Sequence, residues 1–328
     1  MRCLEVTGSE ASPGVRLGTA PEPEAGARQA LIEVLAAGVI PTELRWYPTW
    51  HAKAGEPRRN AIPGHEFSGV ITALGSDTNG LKIGDEVFGM NDWYADGAMA
   101  DCCVAPVSAL ALKPTRLTAA EAASVPISAL TAWQALFDHA HLRAGERVLI
   151  HGAAGGVGTF AVQLAKLHGA YVIATASSRN LDFVSKLGAH EVIDYRTNRF
   201  EEKVNAVDVV LDTVGGDTLD RSWGVLSPQG RLVTVASSAE NSSDARVKNA
   251  FFIVEPDGTQ LSRIAALLQD GSLAPVVDSV VPLSQAPDVY SGKLKRQGRG
   301  KIVVSVTSEK AKVSDAGLKR AARSYGAG

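Results

Sequence analysis

The sequence predicts an α/β protein with two domains, one rich in β-strands and one built on a doubly wound parallel sheet. The 328 residues suffice for two domains of ordinary size, and 45% of them are hydrophobic, enough for two cores. Up to about residue 124, short apolar runs alternate with glycine and proline, which is typical of β structure. From residue 147, strand-like runs alternate with helical segments, which predicts parallel strands joined by crossover helices.

Charge and cysteine content exclude several classes of protein. The formal net charge is −2, so no strong field draws the chain to nucleic acid or to an anionic membrane. The N-terminal residues lack the apolar stretch of a secretory signal. The cysteines are Cys3, Cys102 and Cys103, and an odd number without a signal favours a reduced protein. We therefore expect a cytoplasmic protein with no nucleic-acid or membrane partner.

In the β-rich part, residues 30–35 and 67–74 have the composition of strands, and residues 80–89 read as a turn followed by a strand. The pattern changes at Thr118, where an alanine-rich helical stretch begins. Thr118 and Glu121 have the spacing of a capping box, and Pro126 should divide the stretch into two helices.

In the second part, strands are predicted at 147–150, 171–176, 191–193, 207–211 and 231–235. Helices are predicted at 180–187 and 259–270, and two further strands at 276–282 and 301–306. These last strands are expected to return to the first domain, which gives domains of 1–124 with 266–328 and of 125–265. The tail from Ser308 is polar and basic, typical of a surface helix or a frayed end.

A glycine-rich turn lies at the centre of the parallel-sheet domain. Ala153, Gly155 and Gly158 occupy the three positions of a GxGxxG fingerprint, and Gly156 and Val157 stand between the last two. The turn follows a predicted strand and opens a helix, the context in which this motif binds a dinucleotide pyrophosphate. A tight structural turn without a ligand is the alternative. The context favours dinucleotide binding.

Several segments along the chain resemble one known family. They are AAGVIPTEL (36–44), PGHEFSGVI (63–71), IGDEVFG (83–89), LTAWQAL (130–136), GERVLIHGAAGGVGTFAVQLAK (145–166), LGAHEVIDY (187–195), VDVVLDTVGG (207–216) and GRGKIVVSV (298–306). They are similar to those of the zinc-free quinone oxidoreductase branch, the zeta-crystallin type, of the medium-chain dehydrogenase/reductases. The resemblance implies a GroES-like catalytic domain formed by both chain ends, with a Rossmann domain inserted between them.

The end of the second predicted strand indicates which nucleotide binds. Ser177, Ser178 and Arg179 stand where NAD-binding proteins usually carry an acid, and hydroxyl and guanidinium groups suit the 2′-phosphate of NADPH. Tyr195 and Arg196 are placed to reach the same phosphate; in similar reductases the tyrosine does so. The alternative is that Arg179 only caps a solvated helix start. NADPH is the predicted cofactor.

The resemblance raises the question of zinc, because similar zinc alcohol dehydrogenases use the histidine at position 65 as a metal ligand. Catalytic zinc needs three protein ligands, and the positions expected to hold the others carry Ile40, Pro41, Ile127, Ser128 and Ala129. Cys102 and Cys103 cannot supply the four cysteines of a structural zinc lobe. We predict no metal, with His65 and Glu66 forming a hydrogen-bonded polar pair.

Without a Lewis acid, hydride from NADPH must go to an acceptor that is already electrophilic, such as a quinone or an α,β-unsaturated carbonyl. The resemblance implies that the nicotinamide lies among Ile40, Pro41, Thr131, Val214, Val235, Ala236, Phe252 and Val254. The family often has asparagine where this chain has Ile40, so that polar contact is missing here.

The substrate pocket is predicted from aromatic residues near these positions. It comprises Ile40, Trp46, Tyr47, Trp50, His65 and Trp93. Aromatic walls suit a flat acceptor, although ordinary packing of the loops explains the same residues. Tyr47 is a candidate proton donor, because a tyrosine from this region acts so in some related enoyl reductases.

Two other functions fit the sequence. One is an enoyl-thioester reductase, with basic residues at 58–60 and 293–299 as a possible rim; the other is a non-catalytic protein that binds NADPH as a sensor. The resemblance also implies a homodimer formed through edge strands, for which the apolar residues 250–254 are a candidate.

Overall fold

The computed structural model describes residues 1–240 and 242–306; the predicted helix or frayed end from Ser308 lies outside these residues. The strands are β1 (Arg2–Ser9), β2 (Ser12–Thr19), β3 (Gln29–Gly38), β4 (Glu66–Leu74), β5 (Glu86–Met90), β6 (Cys102–Pro106), β7 (Leu110–Leu112), β8 (Arg147–Ile150), β9 (Tyr171–Ala176), β10 (Glu191–Asp194), β11 (Val207–Asp212), β12 (Leu226–Thr234), β13 (Val277–Pro282) and β14 (Lys301–Ser305).

The helices are α1 (Tyr47–Trp50), α2 (Ala119–Ala123), α3 (Pro126–Trp133), α4 (Gly156–Leu167), α5 (Leu181–Leu187), α6 (Asp217–Ser222), α7 (Ala245–Ala250), α8 (Gly258–Asp270) and α9 (Ala286–Tyr290). A 3-10 turn, Pro41–Arg45, precedes α1, and a π-helix, Gln134–His139, continues α3.

Strands from both ends of the chain form the first sheet. Its order is β13-β14-β3-β4-β5-β7, with β6 paired to β3, and a separate hairpin joins β1 to β2. β14 runs antiparallel to β3, and β13 runs parallel to β14. Alternating buried residues such as Ile32, Val34 and Phe67 form its core, as expected for strands with one face packed inward.

The second sheet is parallel throughout, in the order β10-β9-β8-β11-β12. Its central strand β8 is apolar on both faces: Val148 packs with the helices α3 and α4, whereas Leu149 packs with residues of the opposite layer. Helices therefore cover both faces, which is why the strands read as continuous apolar runs. The carboxyl ends of these strands form one edge, where ligands bind in sheets of this kind.

Local signals in the sequence determine where helices α2, α3 and α8 begin. Thr118 accepts a hydrogen bond from the backbone of Glu121, whose carboxylate accepts from the Thr118 N–H, so the predicted capping box is formed. Pro126 occupies the first turn of α3 and separates it from α2, as predicted. Asp257 is the N-cap of α8, and its side chain accepts hydrogen bonds from the N–H groups of Thr259 and Gln260.

The predicted edge strand at 250–254 is wrong. Ala250 ends helix α7, and Phe251 makes one isolated parallel bridge to Thr234. The apolar side chains that suggested a strand pack elsewhere: the ring of Phe252 stacks on His139 at 4.1 Å. The carbonyl of Val254 accepts from the indole of Trp93, in the loop between β5 and β6. Within residues 1–240 and 242–306, β12 is therefore the outer strand on this side of the parallel sheet.

Among the described residues, no helix has both the length and the apolarity needed to cross a membrane.

Candidate active site

The glycine turn lies between β8 and α4, at the carboxyl edge of the parallel sheet. Gly152 has φ +71°, a left-handed conformation that favours glycine. A Cβ on Gly158 would lie 2.6 Å from the Cα of Ala153 and would also meet the Gly152 carbonyl. Only glycine at position 158 allows α4 to approach the turn this closely, in agreement with the role expected from the motif.

The outer side of the turn is open. Gly155 is the N-cap of α4 and provides no side chain, so within the described part of the chain no side-chain cap occupies the first turn of the helix. A Cβ on Gly155 would have one neighbour, the Gly152 carbonyl oxygen, at 3.3 Å. An uncapped helix N-terminus with open space before it can receive phosphate oxygens through its N–H groups and dipole.

Lys301, a residue that sequence reasoning missed, packs against this turn. A Cβ on Gly156 would lie 2.9 Å from Cδ of Lys301, and Gly300 bonds through its N–H to the Ala154 carbonyl at 2.8 Å. Lys301 is the first residue of strand β14. The first sheet therefore contacts, through β14, the glycine turn that follows β8 of the second sheet. The available signal is a lysine that begins the apolar run of the strand predicted at 301–306.

The ammonium group of Lys301 forms an ion pair with Glu66, and both side chains are buried. The other carboxylate oxygen of Glu66 accepts from the Ile127 N–H at 3.0 Å. Burial raises the pKa of Glu66, and the Lys301 charge opposes that shift. The pair therefore links β4, α3 and β14.

Beyond the turn, a cavity of about 710 Å³ opens at the ends of β8 to β11. Its lining includes Gly152, Thr175, Tyr195, Asn198, Val214 and Asp217. The structure thus brings together Tyr195 and Val214, two residues predicted to contact the cofactor. Both side chains are more than half exposed, at 56% and 54%. Exposed flat and apolar side chains at the rim of a cavity suit an adenosine group.

The predicted phosphate site contains an acid from the neighbouring strand, although Ser177, Ser178 and Arg179 stand where NAD-binding proteins usually carry one. The hydroxyl of Ser178 donates to Oδ2 of Asp194 at 2.5 Å. Asp194 ends β10, and the pairing of β10 with β9 brings it to the end of the neighbouring strand. Hydrogen bonds from Ser178 and from the Arg196 backbone lower the pKa of Asp194, so it is ionised.

Arg179 follows directly after Ser178 and is exposed at this site. Its guanidinium lies beside the loop before β14, because a Cβ on Gly298 would meet Nη2 of Arg179 at 2.6 Å. The backbone carbonyl of Arg179 accepts from Arg299 at 3.1 Å. The Arg196 charge acts on Asp194, whereas the Arg179 guanidinium lies beside Gly298.

His151, which borders the same cavity, is part of the framework. It is fully buried, with Nδ1 3.1 Å from Thr175 Oγ1 and Nε2 3.0 Å from Ser222 Oγ. Burial, with a smaller contribution from the nearby Arg221 charge, lowers the pKa of His151 to about 3. The ring is neutral near pH 7, and its two hydrogen bonds connect the end of β8 to β9 and to α6.

A second buried group, Asp212, organises the loops that carry predicted cofactor contacts. Its carboxylate accepts from the N–H of Val214 at 3.0 Å and from the hydroxyl of Thr234 at 2.8 Å. The backbone of Val235 donates to the Asp212 carbonyl, and Ala236 donates to Thr234 Oγ1. Asp212 therefore fixes Val214, Val235 and Ala236 along one edge.

The other predicted nicotinamide neighbours lie where the two sheets meet. Trp93 donates from its indole N–H to the Val254 carbonyl at 3.2 Å, which bridges the first sheet and the second. Thr131 is buried, and its hydroxyl donates to the Ile127 carbonyl within α3 at 2.6 Å. Ile40 packs half-buried against the same core, and Pro41 is exposed at the start of the 3-10 turn.

The predicted aromatic pocket separates into three groups. Trp46 and Trp93 meet edge to face, with ring centroids 5.1 Å apart, and His65 lies 5.2 Å from Trp93. Tyr47 stacks instead on His51 at 4.2 Å and is 49% exposed. Trp50 donates to the Leu44 carbonyl and packs with Val6 and Ala61 in a small cluster of its own.

The prediction that His65 pairs with Glu66 is wrong. The partner of His65 is Glu43. Nδ1 of His65 lies 3.0 Å from Oε2 of Glu43, which also accepts from the Gly64 N–H at 3.0 Å. The hydroxyl of Tyr290 donates to the other Glu43 oxygen at 2.5 Å. Glu43 is fully buried, whereas Nε2 of His65 is a buried atom without a hydrogen-bond partner among the described residues.

The donor set around His65 does not fit a catalytic zinc ion, which requires three protein ligands. Within residues 1–240 and 242–306, no group of three or more His, Cys, Asp or Glu side chains is close enough to hold a metal. Burial raises the pKa of Cys102 to about 11 and that of Cys103 further, so both are thiols.

Comparisons with known proteins agree with this architecture. Residues 26–130 match the alcohol dehydrogenase GroES-like domain, and residues 187–304 match the family described as zinc-binding dehydrogenase. The chain is 34% identical over 305 residues to the probable mitochondrial zinc-binding oxidoreductase of Arthroderma benhamiae, covering 87% of this chain and 91% of that protein.

Two further matches have names that state a reaction. The chain is 33% identical over 286 residues to 2-methylene-furan-3-one reductase of Solanum lycopersicum, covering 84% of this chain and 71% of that protein. The solved quinone oxidoreductase of Coxiella burnetii superposes with a TM-score of 0.81 at 30% identity, covering 94% of this chain and 99% of that one.

Proposed function

Because the chain belongs to the medium-chain dehydrogenase/reductase superfamily, whose oxidoreductases bind a nicotinamide cofactor, we propose that it is an NADPH-dependent reductase of quinones or α,β-unsaturated carbonyls that acts without a metal. The observation that carries the proposal is the donor set of the cleft. Beside Val254 stand two tryptophans and one histidine, and the described residues provide no three-ligand group there.

The choice of NADPH rests on charge at the end of β9. Arg179 follows the end of β9 and Arg196 follows the end of β10. Ser177 adds a hydroxyl at the strand end, whereas the Ser178 hydroxyl donates to Asp194. Guanidinium groups bind phosphate strongly, because their N–H groups and their charge act together. The same site offers no such advantage to the 2′-hydroxyl of NADH.

The residues of the glycine turn would hold the rest of the cofactor. The uncapped start of α4 at Gly155 and Gly156 suits a pyrophosphate. Tyr195 and Val214 would flank the adenosine. When bound, the reduced nicotinamide supplies a hydride.

The cleft residues support an electrophilic acceptor. Trp46 and Trp93 offer flat apolar surfaces that exclude water and suit a conjugated ring or enone. Such an acceptor needs no Lewis acid, because its conjugated oxygen takes up the charge that arrives with the hydride. The names of the tomato enone reductase and the Coxiella quinone oxidoreductase support the same two acceptor classes.

Steady-state assays of chelator-treated protein test the proposal. NADPH or NADH is mixed with 1,4-quinones, 2-alkenals, cyclic enones and enoyl-thioesters, and cofactor oxidation is followed by absorbance. We expect oxidation of NADPH with quinones or enones, and much slower oxidation of NADH. NADPH binding without turnover of any acceptor would indicate a sensor, and turnover of enoyl-thioesters alone would indicate the other reductase class. Activity lost on chelation and restored by Zn²⁺ would refute metal independence.

A further inference from the structure

A turn that belongs to the first sheet lies against the predicted phosphate site of the parallel sheet. The turn comprises residues 297–299, just before β14, and the carboxylate of Asp278 on β13 accepts from all three of their N–H groups, at 3.3, 2.7 and 3.1 Å. Hydrogen bonds from backbone N–H groups to an ionised carboxylate are among the stronger ones. They give the turn a defined shape.

Arg299 joins this turn to the residues that follow β9. Its Nε donates to Oδ1 of Asn180 at 2.8 Å, and its Nη2 donates to the Arg179 carbonyl at 3.1 Å. Its guanidinium also lies 4.8 Å over the ring of Phe183 on α5, a cation–π contact. The buried Asn180 donates in return through Nδ2 to the Gly298 carbonyl at 3.3 Å. The turn therefore holds the main chain at Arg179 in place.

The guanidinium of Arg179 is, by contrast, uncommitted. Within the described part of the chain it makes no hydrogen bond or ion pair, whereas the guanidinium of Arg299 makes two hydrogen bonds. Arg179 is exposed, and a Cβ on Gly298 would lie 2.6 Å from its Nη2. Of these two arginines, one is used in joining the sheets, and the other keeps its N–H groups available for an anion.

The missing side chain at position 298 determines where the free guanidinium can lie. Gly298 has φ +77°, in the left-handed region that favours glycine. A Cβ there would take the space of the Arg179 Nη2, which is the far end of a long flexible side chain. A methyl group at 298 would therefore move the guanidinium and leave the turn around it in place.

From these contacts we infer that Gly298 and Arg299 are positioning residues that hold the Arg179 guanidinium for the 2′-phosphate, so that the first sheet helps to set the preference for NADPH over NADH. The inference rests on the proposed function. A guanidinium binds a phosphate through two parallel N–H···O bonds, which require a particular plane and distance. Displacing the guanidinium by the width of a methyl group removes much of that interaction.

A contact that only joined the two sheets would behave differently. NADPH and NADH share every group except the 2′-phosphate, so a loss of structural support would weaken the binding of both. A displaced Arg179 guanidinium weakens the binding of the phosphorylated cofactor alone. The ratio of the two affinities is therefore the measurement that distinguishes positioning from structural support.

Calorimetric titration of NADP⁺ and NAD⁺ measures this ratio without turnover. Gly298→Ala is compared with Gly292→Ala, its matched control: Gly292 has φ +73°, so alanine is similarly strained there, but its Cβ would have nothing within 4 Å. We expect Gly298→Ala to weaken NADP⁺ binding about fivefold or more, and NAD⁺ binding less than twofold. Gly292→Ala should lower Tm as much as Gly298→Ala does and leave both affinities unchanged.

Two further variants test whether the effect passes through Arg179. Adding Gly298→Ala to Arg179→Ala should change NADP⁺ affinity less than twofold, because the group that the methyl displaces is already absent. Arg299→Met keeps an apolar stem beside Phe183 but loses both hydrogen bonds. It should lower the ratio of NADP⁺ to NAD⁺ affinity about threefold or more.

An unchanged affinity ratio in Gly298→Ala, or an equal loss of NADP⁺ affinity with and without the Arg179 side chain, would overturn the inference. So would a wild-type protein that binds the two cofactors equally. If the variants behave as expected but the protein reduces no acceptor, the reductase function fails while the positioning role stands. Reduction of quinones or enones with NADPH, together with a wild-type affinity ratio in Gly298→Ala, would support the reductase and refute the positioning role.

Discussion

Three glycine-to-alanine substitutions separate the two tasks of the glycine turn. Gly158 is buried and its Cβ would lie 2.6 Å from backbone of Ala153, so either the strand end or α4 must move. Gly155 is exposed, and its Cβ would meet a single backbone oxygen at 3.3 Å. Gly224 is the matched control, because its Cβ would have nothing within 4 Å.

The magnitudes follow from these contacts. Overpacking against backbone at position 158 costs about 3 kcal/mol, and the better helix propensity of alanine returns about 1 kcal/mol. We therefore expect Gly158→Ala to lose about 2 kcal/mol of unfolding free energy, a fall in Tm of roughly 3 °C for a chain of this length. Gly155→Ala should stay within about 0.5 kcal/mol of the wild-type protein, since its contact is close to an ordinary one.

Cofactor affinity gives the second readout, measured as quenching of protein fluorescence by NADPH beside thermal unfolding without ligand. Gly155→Ala should weaken NADPH binding at least tenfold at nearly unchanged Tm, because its methyl group occupies the space proposed for the pyrophosphate. Gly158→Ala should lose both stability and affinity, and Gly224→Ala neither. Unchanged NADPH affinity in Gly155→Ala would refute the placement of the pyrophosphate at this turn.

Three other predictions concern charge. Arg179→Ala should weaken NADPH binding about 10- to 100-fold and NADH binding less than twofold, whereas Asp194→Asn should strengthen NADPH binding. Calorimetric titration of each variant with each cofactor measures these affinities. Equal losses of affinity for the two cofactors in Arg179→Ala would count against the 2′-phosphate site. His151 has its pKa lowered to about 3, so the unfolded chain takes up its proton first and stability falls as pH drops below about 6.5. That loss should reach about 2 kcal/mol at pH 5 in denaturant unfolding and should shrink in His151→Gln; an unchanged slope would show that the group titrates normally. Lys301→Met should cost about 3–5 kcal/mol by leaving the buried Glu66 unpaired, and adding Glu66→Gln should recover part of it; simply additive losses would deny the coupling.

Much of the fold could be predicted because its signals are local. Apolar runs of strand length, the capping box at Thr118 and the glycines around residue 155 each act within a few residues. The edge strand at 250–254 was wrong for the same reason. Apolar composition alone does not distinguish side chains that pair in a sheet from those that, like Phe252, pack on a neighbouring helix.

The polar contacts of the site were less predictable, because they join distant parts of the chain. Glu43 and His65 are 22 residues apart, and Tyr290 reaches Glu43 across 247 residues. No periodicity links such residues. The sequence alone suggests Glu66, which is adjacent to His65, as its partner. Asp194 was not predicted as part of the phosphate site, because it lies on the neighbouring strand β10 and is brought to the site only by the pairing of β10 with β9.

The entry of β14 into the first sheet has a consequence for the chain as it is synthesised. Gly300 and Lys301 complete the surroundings of the glycine turn, yet they are made almost 150 residues after it. β14 pairs with β3, so this contact forms only after a large loop has closed, a slow step in folding. A nascent chain that has folded its parallel sheet would still lack one wall of the nucleotide site. Cofactor binding would therefore stabilise finished molecules and leave partly made ones unprotected.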